Sequence, residues 1–231
     1  MVVTESTLST SEIFANRFGL VSRMADDIAH EIKNPLHSMA INLEVMRRRV
    51  AAGDGEAAIE RADIIDAELR RVSELVDHLL RLVRPAASEG RITDLDATLG
   101  DILPLLKIQA RLANLSFEYA PIGEPLLVAV GPTTLKFAVL NAAQEMLDLG
   151  RATGAGLRVS STARPAALRI AAHLPDGAVI AAPKLDDERG ARIGARFAEA
   201  MLRPAGAGVE YEHETAANIA VRITLPVASS A

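Results

Sequence analysis

The chain has 231 residues, 49% of them apolar and 24% charged, a balance that supports a packed core and excludes general disorder. It lacks cysteine and tryptophan, which excludes disulfides, thiolate metal sites and thiol nucleophiles, and leaves alanine and aliphatic side chains to fill the interior. The formal net charge of −5 speaks against a general nucleic-acid binder, and no apolar run approaches the roughly 18 residues of a membrane span. The first residues also lack the basic-then-apolar pattern of a secretory signal, so a soluble cytoplasmic protein is expected.

Taken in chain order, the first signal is Ser9-Thr10-Ser11-Glu12, a capping box that opens a long helix. Apolar residues then recur at Phe18, Val21, Ala25, Ile28, Ile32, Leu36, Met39, Leu43, Met46 and Val50, a heptad seam with one extra four-residue step beside Pro35. Proline removes a helix hydrogen bond, so a bend is expected there. Gly53-Asp54-Gly55 marks a turn, and a second seam follows at Ala58, Ala62, Ile65, Leu69, Val72, Val76, Leu79 and Val83. Arg84-Pro85 ends it.

Two such helices form an antiparallel hairpin with more apolar surface than one partner helix covers, since Ile64, Leu75, Leu80 and Leu82 lie off the second seam. A two-fold dimer forming a four-helix bundle covers it; a hairpin folded onto the C-terminal region is the competing arrangement. After the linker at 86–90, strands are predicted over 115–119, 126–130, 157–161, 168–173, 209–213 and 219–225, with helices over 95–113, 132–149 and 187–202. The expected fold class is therefore α+β: a hairpin domain over 1–88, then a two-layer α/β sandwich over 89–231.

The chemistry concentrates in Ala29-His30-Glu31-Ile32-Lys33-Asn34-Pro35-Leu36. At about 100° per residue, Ile28, Ile32 and Leu36 make the buried stripe and His30 faces nearly opposite. Glu31 sits at the seam's rim beside His30, and Asn34 lies one turn further on. A neutral imidazole is a good nucleophile, and a neighbouring carboxylate can take the proton from its other nitrogen. A lone His-Glu pair on a helix is most often an ordinary solvated face. A zinc-protease pair needs a second histidine four residues on, where Asn34 stands, and His37, His78, His173 and His213 show no metal spacing either.

The whole string resembles the phosphoacceptor box of two-component sensor histidine kinases, His-Glu-(Ile/Leu)-(Lys/Arg)-Asn-Pro-Leu. The resemblance implies that His30 carries phosphate, that Glu31 is the acid/base residue, and that Asn34 orients the phosphoryl group or a hydrolytic water. It also implies receiver domains as partners, a homodimer, and a Bergerat-type ATP-binding domain after the hairpin. There the helix from Leu135 looks like the asparagine box, with Asn141 at the first position and Glu145 where the magnesium-binding asparagine is expected. Leu168 to Ile180 fits the strand and loop of the first glycine box and contains Asp176 and Gly177, but Pro175 takes the adenine-reading aspartate position and Val179 the second glycine. Gly190-Ala191-Arg192-Ile193-Gly194 keeps two of three glycines in the second box, and only thirteen positions separate Gly177 from Gly190, too few for the usual lid.

ATP and Mg²⁺ are the ligands of an intact domain of this kind; these departures predict that they bind poorly or not at all. The expected function is phosphorelay without a sensor domain, with His30 exchanging phosphate with receiver aspartates. An ATP-using autokinase, a receiver phosphatase and a non-catalytic scaffold or inhibitor are the alternatives.

Overall fold

The computed structural model describes residues 8–84, 91–173, 193–215 and 218–228. Helix α1 (Thr10–Ala51) opens on the capping box, with the Ser9 side chain accepting from the Glu12 N–H and Glu12 returning to the Ser9 N–H at 2.7 Å. The helix runs through Pro35 as one element, and Pro35 is buried on it. Gly53, at φ +76, makes the turn, and the Asp54 side chain caps α2 (Gly55–Val83) at the Ala57 N–H. The expected linker at 86–90 lies outside the described residues.

The second part contains β1 (Thr93–Asp94), α3 (Leu95–Leu112), β2 (Phe117–Ala120), β3 (Leu127–Val128), α4 (Pro132–Thr153), β4 (Gly156–Ala163), β5 (Ala166–His173), α5 (Ile193–Leu202), β6 (Gly208–Thr215) and β7 (Asn218–Thr224). Proline at the first turn of α4 and left-handed Gly154 at its end bound that helix. Five strands form a mixed sheet in the order β2-β4-β5-β7-β6, in which only β2 and β4 run parallel. A separate two-stranded pair joins β1 to β3. Helix α4 lies across β4, β5 and β7, and Leu157, Val159, Leu168, Ile170, Val221 and Ile223 make a wholly buried floor beneath the helices. The α+β class, a helical hairpin followed by a two-layer α/β sandwich, is what the coordinates have.

The hairpin differs from expectation in which stripe it buries. Leu20, Met24 and Ile28 of α1 and Leu75 and Leu82 of α2 enter the same core as α3 and α4. Of the two predicted seams, Ile28 and Ala58 are buried as expected, whereas Phe18, Leu36, Leu43, Val50, Leu69, Val76 and Val83 stay exposed. Two adjacent apolar stripes therefore run along α1, and the one nearer Leu20 packs on the C-terminal region. The fold of hairpin onto C-terminal region, the competing arrangement of the sequence reading, accounts for the first stripe and leaves the second uncovered.

Tyr119 ties β2 to the start of α3, its hydroxyl donating to Asp96 Oδ1 at 3.0 Å. Burial, then the bond to Asp96 and its charge, push the phenol up to about 12 from an ordinary 10.0. Below the lower value neither the folded nor the unfolded chain ionises this group. Between the two only the unfolded chain does, so stability falls as pH rises through that window. Urea midpoints across this range should show a smaller loss for Tyr119→Phe than for the parent chain.

Candidate phosphoacceptor and nucleotide-like sites

His30 projects from mid-α1 into solvent, and Asn34 and His37 are exposed on the same helix. Leu36 and Phe18 lie about 120° away round the helix at 100° per residue, so a partner seated on the uncovered stripe leaves His30 open. The imidazole is thus held on a rigid element, free for approach from outside.

Glu31 is placed differently from its expected position at the rim. It is only 4% exposed, and its Oε2 accepts from Nη2 of Arg111 on α3 and from Nη2 of Arg71 on α2 at 3.4 Å. The carboxylate is turned inward between three helices, toward the two guanidinium groups. The physical reason is that a buried carboxylate is costly unless paired, and both arginines reach it while keeping about half their side chains in water.

A second polar link lies nearby. Gln109 Nε2 donates to Asp27 Oδ2 at 3.0 Å and to Gln144 Oε1 at 3.3 Å, and Gln144 Nε2 donates to Asp148 Oδ1 at 3.0 Å. Helix α1 is therefore joined to α3 and α4 by a line of side chains that starts three residues before His30. Sequence reasoning missed Arg71, Arg111, Gln109 and Gln144. The two glutamines interrupt apolar runs (Ile108-Gln109-Ala110, Ala143-Gln144-Glu145-Met146), which was the available signal; the arginines, 40 and 80 positions from Glu31, gave none.

On α4, Asn141 is 3% exposed and its Nδ2 donates to the Phe137 carbonyl of its own helix at 2.8 Å. Glu145 Oε2 accepts from the backbone N–H of Ala195, in the first turn of α5, at 2.8 Å. A helix N-terminus presents unpaired N–H groups and partial positive charge, which suits a phosphate or a carboxylate equally. Here the chain's own carboxylate holds that place. Gly194 brings the two helices into contact: a Cβ built on it would lie 2.2 Å from the Asn141 carbonyl oxygen and 3.0 Å from Glu145 Cβ. Asn141, Glu145 and Gly194 are thus brought together by the packing of α5 on α4. Asp176, Gly177 and Gly190 lie outside the described residues.

Glu145→Ala leaves the Ala195 N–H without this acceptor and should cost about 1–2 kcal/mol. A lower urea midpoint and faster amide exchange confined to α5 are the expected readouts. Among the described residues no group of three or more His, Asp and Glu would hold a metal ion, and no helix is long and apolar enough to cross a membrane.

Comparison with known proteins matches residues 20–88 to the family model described as the His Kinase A (phospho-acceptor) domain. Sporulation kinase D of Bacillus subtilis is 26% identical over 238 residues, covering 98% of this chain and 46% of that protein. The sensor histidine kinase ZraS of Escherichia coli K12 is 28% identical over 167 residues, covering 72% of this chain and 35% of that protein. The chain thus spans about half or less of the relatives it matches. Among solved structures, a bacterial phosphotransferase aligns over 94% of this chain and 98% of its own at 16% identity and TM-score 0.41. The histidine kinase domain of the E. coli osmosensor EnvZ aligns over 64% and 95% at 19% identity and TM-score 0.47.

Proposed function

This chain belongs to the two-component sensor histidine kinase family, and we propose that within it the protein acts as a histidine phosphotransferase, moving phosphate between receiver-domain aspartates through His30. A ring nitrogen of His30 attacks the phosphorus of a phospho-aspartate. The N–P bond forms, the P–O bond to the aspartate breaks, and the carboxylate leaves on the donor receiver. The proton of the other ring nitrogen passes to water, because Glu31 faces the arginines in this arrangement. A second receiver's aspartate then attacks the phosphorus, the N–P bond breaks, and the ring takes back a proton from water, which restores the neutral imidazole.

One contrast carries this reading: His30 is exposed and unencumbered by the fold, whereas Asn141, Glu145 and Gly194 are spent on packing α5 against α4. A phosphotransferase needs the first and has no use for a nucleotide. The exposure of Asn34 one turn from His30 supports a role for it in touching an incoming phosphoryl group. The uncovered stripes of α1 and α2 support a homodimer, which would bury them while leaving His30 open.

A second reading, an ATP-using autokinase, is favoured by the names of the relatives, which are kinases. The test is to follow labelled phosphate from a phosphorylated receiver onto this chain and on to an unphosphorylated receiver. Passage in both steps is the expected result. Label entering from the γ-phosphate of ATP instead would establish the second reading.

A further inference from the structure

A cleft of about 710 Å³ opens between α2 and α3, outside the motif positions. That volume lies in the range of small-molecule sites. Leu75, Ile108 and Phe117 make an apolar wall, while Arg71, Lys107 and Arg111 bring cationic groups to it, against Glu74 as the one carboxylate in the lining. Arg71 and Arg111 are the two residues that hold Glu31, and Arg71 also lies 3.8 Å from Glu68. Lys107 has no ion pair among the described residues. Arg111 uses only Nη2 on Glu31, and its other N–H donors make no hydrogen bond among the described residues.

We propose that this cleft binds a small organic anion, an apolar or aromatic body carrying a phosphate or carboxylate, and that the bound anion draws Arg71 and Arg111 away from Glu31. The body covers Leu75, Ile108 and Phe117, and the anionic group meets Lys107 first. The guanidinium groups then face two competing acceptors, the ligand and Glu31, which is adjacent to His30 in the chain. Ligand binding and the Glu31 clamp oppose each other through the same donors, and that opposition is reciprocal. Released from the arginines, Glu31 becomes available as the acid/base group beside His30. Binding in the cleft is independent of any reaction at His30; its consequence for His30 rests on the phosphotransferase reading.

Phenyl phosphate serves as the probe, titrated into the full chain and followed through the methyl NMR signals of Leu75 and Ile108. Saturable shifts at these two residues are expected, with Lys107→Glu weakening the affinity about tenfold or more, the effect of losing one charged contact. Lys107 is exposed, so this variant keeps its fold. Glu31→Gln removes the internal competitor and should tighten binding several-fold. Inorganic phosphate, lacking the apolar body, should bind more weakly than phenyl phosphate. Absence of saturable binding, or equal affinity in the Lys107→Glu chain, overturns the site. Equal affinity for inorganic phosphate overturns the ligand class, and unchanged affinity in Glu31→Gln overturns the coupling.

Discussion

His30→Gln is expected to abolish uptake of phosphate from a phosphorylated receiver while leaving the melting temperature of the chain within a degree or so of the parent. The side chain lies in solvent and no other residue packs its stability on it, so the exchange for another polar helix former falls in the range of surface substitutions, about ±0.5 kcal/mol. The chemical effect is total by contrast. Glutamine offers an amide nitrogen whose lone pair is delocalised into the carbonyl, and it cannot replace an imidazole nitrogen as nucleophile. Label transfer with equal amounts of both chains separates the two effects. His37→Gln, one face-sharing position further along α1, is the control and should transfer as the parent does. This control matters because His37 is exposed as well, and only the surrounding string distinguishes the two histidines.

Gly194→Ala unfolds the seam between α4 and α5. The new Cβ would sit 2.2 Å from a backbone oxygen and 3.0 Å from its carbonyl carbon, both belonging to Asn141 in the middle of α4. A flexible side chain could swing aside, but backbone inside a helix cannot, so α5 must move outward as a body. That movement also pulls the Ala195 N–H away from Glu145 and exposes the buried Ala195 and Ala198. Overpacking of this kind costs about 3 kcal/mol, the upper end of the usual range. For a chain of this length the melting temperature should fall by about 6–12 °C. Thermal denaturation followed by circular dichroism checks it; a shift below a degree would mean that the two helices are not in contact at this point. Gly100, on α3 with open space where its Cβ would go, provides the matched Gly→Ala control. There the helix propensity of alanine should raise stability slightly.

The elements themselves were legible because each carries a local signal. The capping box, the Gly53 turn, Pro132 at the start of α4 and the β-rich runs all place elements within a few residues of where they stand. The exposure of His30 was legible for a related reason, since helical periodicity puts it opposite Ile28 and Ile32. Choosing between two parallel stripes on α1 was a different problem. Both the Leu20-Met24-Ile28 stripe and the Phe18-Leu36-Leu43 stripe satisfy a helical repeat, and what decides between them is α3 and α4, which begin 67 and 104 residues after Ile28. Glu31 was read as a rim residue because a carboxylate at a seam's edge ordinarily reaches water; its burial depends on two arginines from separate helices arriving at one point. Glu145 was read through alignment with a magnesium-binding asparagine; that its carboxylate also accepts from the first turn of α5 is announced by no local pattern.

The central claim is that His30 is phosphorylated from receivers and not from ATP. Mass spectrometry of the peptide containing His30, after parallel incubation with a phosphorylated receiver and with Mg·ATP, tests it most directly under conditions that preserve the acid-labile N–P bond. The account predicts one added phosphoryl group on His30 with the receiver and none with ATP. Modification of His30 by ATP, or an unmodified His30 with every receiver donor, would contradict it.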